Sequence, residues 1–126
     1  MKIYIAGKIT GDKGYREKFA AVEAALWAQG FTVINPAVLP EGMQPADYMR
    51  VCLSMVEIAD EVVFLPDWQE SQGAKLEMAL CQYIKKRIAF LPESYGIQTV
   101  LGNIGAQNAS LRAAAERKTQ GKENEN

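Results

Sequence analysis

Val62-Val63-Phe64-Leu65-Pro66-Asp67-Trp68-Gln69-Glu70-Ser71-Gln72-Gly73-Ala74-Lys75-Leu76-Glu77 runs from a continuous apolar segment, through a polar loop opened by proline, into helix-like spacing. Four β-branched or large apolar residues with no polar alternation suit a strand covered on both faces. Pro66 ends the strand, residues 67–73 form the loop, and the spacing predicts a helix from about residue 74 to residue 85. The basic run Lys85-Lys86-Arg87 complements the partial negative charge of a helix C-terminus. Strand, loop and helix in this order form half of a βαβ unit, so the fold class turns on whether the pattern repeats.

It repeats on both sides. Residues 3–6 form a short apolar strand, residues 7–14 a glycine-punctuated loop, and residues 15–29 a helix with Phe19, Val22 and Leu26 at helical spacing. Gly30 stands where a left-handed cap belongs. Residues 31–34 form a second strand that Asn35-Pro36 stops, because proline disfavours helix before itself and cannot donate to a ladder. A loop over 37–44, containing Pro40 and Gly42, leads into a helix over 45–59 that carries Tyr48, Val51, Cys52, Met55, Ile58 and Ala59 on one side. Residues 88–91 form a fourth strand, and residues 97–101 suit either a fifth strand or the start of a helix. Residues 116–126 contain no hydrophobic side chain, so that end of the tail is expected to be disordered.

Helical crossovers between apolar strands imply an α/β fold, a Rossmann-like or flavodoxin-like three-layer sandwich with a parallel sheet of four to five strands. One domain is expected over residues 1–105, followed by a tail over 106–126. Such a sheet puts its strand-to-helix loops on one edge, and ligands sit there where the strand order reverses. For an order of 2-1-3-4 the reversal lies between the first and third strands, so the loops 7–14 and 66–73 face each other.

Composition narrows the chemistry. The chain has 126 residues, a net charge near −1 and no histidine. Histidine-dependent triads, histidine zinc sites and imidazole bases are therefore excluded. The near-neutral balance argues against coating a nucleic acid polymer or an anionic membrane. The two cysteines, Cys52 and Cys81, lie in helical apolar patterns and read as reduced thiols. The apolar run 1–7 is too short for a signal peptide, and no later run approaches about 18 apolar residues, so a cytoplasmic location is expected.

The first loop carries Gly7, Lys8, Ile9, Thr10 and Gly11. Gly7, Gly11 and Gly14 are four and three apart, which fits neither of the common glycine-rich nucleotide motifs. What remains is a turn suited to close backbone approach to an anion, with one ammonium and one hydroxyl, or else a plain strand-to-helix turn. The third loop is more telling. Glu77 is followed by Leu80, Cys81 and Ile84 at +3, +4 and +7, so it shares the inward face of its helix. A carboxylate there needs a crevice, a hydrogen-bonding neighbour or both. The helix N-terminus and hydroxyl donors favour its ionised form, and desolvation opposes it. An oriented carboxylate in a closed pocket is the equipment of a glycosyl-transferring nucleophile, which needs neither metal nor cofactor. Tyr4, three residues before Gly7, lies near the same crevice. Trp68 is a candidate stacking surface for a base, and Gly73 and Asn35 stand in the loops on the same edge.

Tyr4-Ile5-Ala6-Gly7-Lys8-Ile9-Thr10-Gly11, followed by Asp60-Glu61-Val62-Val63-Phe64-Leu65 and then Ser71 and Glu77 six apart, resembles the nucleoside 2-deoxyribosyltransferase superfamily. That superfamily includes the 2'-deoxynucleoside 5'-phosphate N-hydrolases, and the chain looks most like a branch of small bacterial and phage proteins without an assigned reaction. The likeness spans residues 2–91. It implies that Glu77 is the nucleophile and that Tyr4 hydrogen-bonds it. Ser71 takes a position that is aspartate in the transferases and serine in the nucleotide hydrolases, which leans toward a 5'-phosphate. Lys8 and Thr10 then fall in the phosphate-holding loop, where Ser and Arg are usual. The chain departs from the family where an aspartate is expected about two helical turns before Asp60; Cys52 stands there, and Asp47 is too far upstream. A residue from a neighbouring subunit completes known sites, with Ser94 and Asn103 the candidates here, so a homodimer or higher homo-oligomer is implied.

These residues support an enzyme acting on the N-glycosidic bond of a small nucleoside or nucleotide. A second reading is a non-catalytic nucleotide-binding or nucleotide-sensing module on the same fold, motivated by Cys52. A third is a small interaction protein that works through its tail.

Overall fold

A computed structural model describes residues 1–91 of the chain. Strand β1 (Lys2–Ala6), helix α1 (Tyr15–Ala28), strand β2 (Thr32–Ile34), helix α2 (Pro45–Ile58), strand β3 (Glu61–Phe64), helix α3 (Gln72–Ile84) and strand β4 (Arg87–Phe90) follow in order. Short 3-10 turns at Pro36–Val38 and Trp68–Glu70 lie inside the second and third loops. The strands form one sheet in the order β2-β1-β3-β4, and each pairing is parallel. The reversal therefore lies between β1 and β3, and the chain has the expected three-layer α/β, Rossmann-like architecture.

Alternation along the strands divides the core in two. Ile3, Ile5, Val63 and Leu65 pack with Phe19, Val22 and Leu26 of α1 on one face. Tyr4, Ala6, Val62 and Phe64 face the other way, against Val56 and Ala59 at the end of α2 and Met78 and Cys81 of α3. Because successive strand residues point to opposite faces, Tyr4 is committed to the α2/α3 side by its position between Ile3 and Ile5.

Several local expectations shift. Helix α2 buries Val56 completely and Ala59 nearly so, with Cys52 and Met55 beside them, whereas Val51 and Ile58 are 37% and 59% exposed. The sheet covers a narrower stripe than the pattern suggested. Helix α3 starts two residues earlier than expected, at Gln72, because Ser71 caps it. The basic run caps its own helix through its backbone and sends its longer side chains elsewhere. Lys85 adopts the left-handed cap conformation (φ 57), Lys86 donates to the carbonyls of Glu57 and Ala59 at the end of α2, and Arg87 pairs with Glu61 at 3.4 Å. No helix among the described residues is long and apolar enough to cross a membrane. The stretch 97–101, Ser94, Asn103, the domain limit at residue 105 and the tail lie outside the described residues.

Candidate active site

The two loops at the reversal point meet as their strand positions require. Gly7 ends β1 so close to β3 that a Cβ there would lie 2.7 Å from Leu65 Cδ1 and 2.9 Å from Leu65 Cβ. Only glycine permits this approach without repacking. Across from it, Ser71 is the N-cap of α3, its Oγ accepting the Ala74 N–H at 3.1 Å. A capped helix holds its first turns in one orientation, and Glu77 lies in the second turn. Its burial stripe, Ala74, Glu77, Met78 and Cys81, faces the sheet.

Glu77 is only 5% exposed, and the Tyr4 hydroxyl, itself 1% exposed as a residue, donates to its Oε2. The hydroxyl and carboxylate come from residues 73 apart in sequence. Burial pushes the Glu77 carboxyl up to about 7, and the Tyr4 hydrogen bond pulls the other way without prevailing. Of the opposing influences recognised in the sequence, desolvation wins. Burial, then the charge of Glu77, raises the Tyr4 hydroxyl well above its ordinary value, so it stays protonated and remains a donor.

Above this pair opens a cavity of about 810 Å³, in the range of small-molecule sites. Tyr4 and Glu77 line it, joined by Gly7, Ile9 and Thr10 from the first loop and by Ser71 and Gly73 at the start of α3. A side chain at Gly73 would sit 3.3 Å from Met49 Cε, so glycine keeps that wall open. The opposite wall comes from the second loop and α2, with Leu39, Met43, Tyr48, Met49 and Cys52. Tyr48 braces that loop, donating to the Pro40 carbonyl at 2.5 Å and accepting the Met43 N–H at 3.3 Å.

Four candidates fall elsewhere. Trp68 does not line the cavity; it packs edge-on to Phe64 at 5.4 Å and lies 6.2 Å from Phe90, spent on an aromatic cluster at the β3/β4 end. Asn35 is buried and its Oδ1 accepts the Ala37 N–H at 2.8 Å, capping the 3-10 turn instead of facing a ligand. Lys8 is held by its backbone, its N–H donating to Asp67 Oδ1 at 3.0 Å, and its side chain is not part of the wall. Gly11 supplies a left-handed turn (φ +83), also outside the lining.

The remaining wall residues were not expected in the site, although Cys52 stands where the resemblance places an aspartate. Cys52 sits among them, its thiol raised by burial. Its companion Cys81 is pushed up to about 11 by burial and the Glu77 charge, so both free cysteines are thiols and not thiolate nucleophiles. Tyr15, Glu41 and Glu70 stand on the rim. Spacing marked Tyr48 and Cys52 as one helix face, but local pattern does not tell a core face from a cavity wall.

Residues 1–90 match the family model described as "Domain of unknown function (DUF4406)". Among solved structures the chain is similar to the CMP N-glycosidase BcmB of Clostridium botulinum, with a TM-score of 0.58 and 17% identity over 79% of this chain and 82% of that one. At that identity the likeness concerns the fold. No curated protein matches the chain.

Proposed function

The chain belongs to the DUF4406 family, and we propose that it breaks or transfers the N-glycosidic bond of a small nucleoside or nucleoside 5'-monophosphate, with Glu77 as nucleophile. The observation that carries this reading is the buried Glu77 carboxyl, hydrogen-bonded by Tyr4 at the floor of a nucleoside-sized cavity. In its ionised form a Glu77 oxygen attacks the anomeric carbon as the carbon–nitrogen bond breaks. The electron pair leaves with the base, which takes a proton from solvent water, and the sugar remains as a glycosyl ester on Glu77. Attack by water or a second base on the same carbon then frees the carboxylate. Tyr4 orients the attacking group and stabilises its charge. The fold shared with a CMP N-glycosidase supports the substrate class.

The 5'-phosphate is the open part of the substrate. With the Lys8 side chain outside the wall, an anionic group would be met by the Thr10 and Ser71 hydroxyls and the first-turn amides of α3. The rim carboxylates Glu41 and Glu70 oppose it. Incubation with deoxynucleosides, ribonucleosides and their 5'-monophosphates, followed by chromatography for free base, decides the substrate and the reaction. Release by the wild type and its loss by about 10³-fold or more in Glu77→Gln is expected. Tight binding with no release by either protein would replace the enzyme with a nucleotide-binding module, the reading that Cys52 in the wall favours. Adding a second base distinguishes transfer from hydrolysis.

We also propose that the protein works as a homo-oligomer. Helices α2 and α3 leave Val51, Ile58, Leu76, Tyr83 and Ile84 exposed, more apolar surface than two amphipathic helices need to show. Leu76 also lines the cavity, so a second copy covering this side would reach its mouth.

A further inference from the structure

Outside the cavity, Lys18 stands where the two loops that frame it join. From the first turn of α1 its Nζ reaches Asp12 Oδ2 at 2.5 Å, Asp67 Oδ2 at 2.5 Å and the Lys8 carbonyl oxygen at 2.9 Å. All three ammonium donors are thereby committed. Each carboxylate holds a backbone amide with its other oxygen: Asp12 Oδ1 accepts the Gly14 N–H at 2.9 Å, and Asp67 Oδ1 accepts the Lys8 N–H at 3.0 Å. The three side chains are 28%, 29% and 22% exposed, so the cluster is partly shielded from solvent. One rigid helix thus grips both ends of the first loop and the start of the third.

We propose that Lys18 is a positioning residue for the candidate site: it locks the first loop to the third across the strand reversal and so sets Ile9 and Thr10 against Ser71 and Glu77. Lys18, Asp12 and Asp67 do not line the cavity, so none of them touches a ligand there. Tyr4 and Glu77 are carried by β1 and α3, outside the lock. Without the ammonium, Asp12 and Asp67 face each other as like charges, and the loops separate. Losing the lock therefore weakens binding while leaving the nucleophile in place. The binding consequence rests on the proposed glycosidic reading; the loop geometry does not.

The test compares full-length wild type, Lys18→Met, Asp67→Asn and the double variant. Amide exchange is followed over residues 7–14 and 72–84, and KM and kcat are measured on whichever substrate the wild type turns over. Exchange over 7–14 is expected to quicken about 10-fold or more in Lys18→Met, with 72–84 unchanged. KM rises about 10-fold with kcat within about twofold, and Asp67→Asn, which removes the carboxylate repulsion, causes no further rise in the Lys18→Met background. Unchanged exchange over 7–14, equal acceleration in every segment, or an unchanged KM overturns the proposal. If Lys18→Met does not fold, Lys18→Gln, which keeps donors and loses the charge, is read by the same criteria. A wild type that turns nothing over counts against the glycosidic reading alone, and the exchange data still decide the lock.

Discussion

Glu77 is the residue on which folding and chemistry pull in different directions. Its carboxyl lies near pH 7 in the folded chain because burial penalises the charge. The folded state therefore holds a proton that the unfolded chain, with an ordinary carboxyl near 4.5, has already released. The stabilisation is fully present below the unfolded value and is lost as pH rises through about 7. Glu77→Gln, which has no charge to bury, is expected to match the wild type in denaturant titrations below about pH 4 and to exceed it above about pH 8, by up to about 3 kcal/mol. The proposed nucleophilic attack needs the opposite state. If Glu77 attacks as a carboxylate, kcat/KM falls as pH drops through about 7. Tyr4→Phe removes the bond that holds the carboxyl down, so this limb should move to higher pH, as a pH–rate profile would show. The inward orientation of Glu77 was legible because helical spacing is local. Its balance between charge states was not, since desolvation depends on what the rest of the chain packs around it.

At the scale of elements, two short features place the carboxyl: the Ser71 cap and the Gly7 contact. Ser71→Ala removes the acceptor for the Ala74 N–H and should cost about 1 kcal/mol in thermal or chemical unfolding. Gly7→Ala drives a methyl into Leu65, with contacts of 2.7–2.9 Å, and is expected to cost about 1–3 kcal/mol by the same measurement. Strands and helices were readable because apolar period and punctuation are properties of neighbouring residues. Cap identity moved the start of α3, and the sheet's width decided that Val56, not Val51 or Ile58, would be its buried contact in α2. Trp68 shows the same limit: a tryptophan on a polar loop looked available to a base, yet Phe64 and Phe90 lie within reach and absorb it.

For the whole molecule, the β2-β1-β3-β4 order brings the first and third loops together, and the α2/α3 side leaves large apolar side chains in solvent. If a second copy covers that side, Ile58→Glu combined with Tyr83→Glu should lower the oligomeric mass seen by light scattering or sedimentation, while circular dichroism stays native, because both positions are exposed in the single chain. Sequence alone determined the strand and helix alternation, the parallel α/β class, the exclusion of histidine chemistry and the inward face of Glu77. All of these depend on residue type or on separations of a few positions along the chain. Tertiary structure decided that Tyr4 meets Glu77 from 73 residues away, that Cys52 joins the wall while Lys8, Gly11, Asn35 and Trp68 do not, and that Lys18 bridges two loops. Those outcomes depend on distances and burial created when remote segments pack, which periodicity along the chain does not encode.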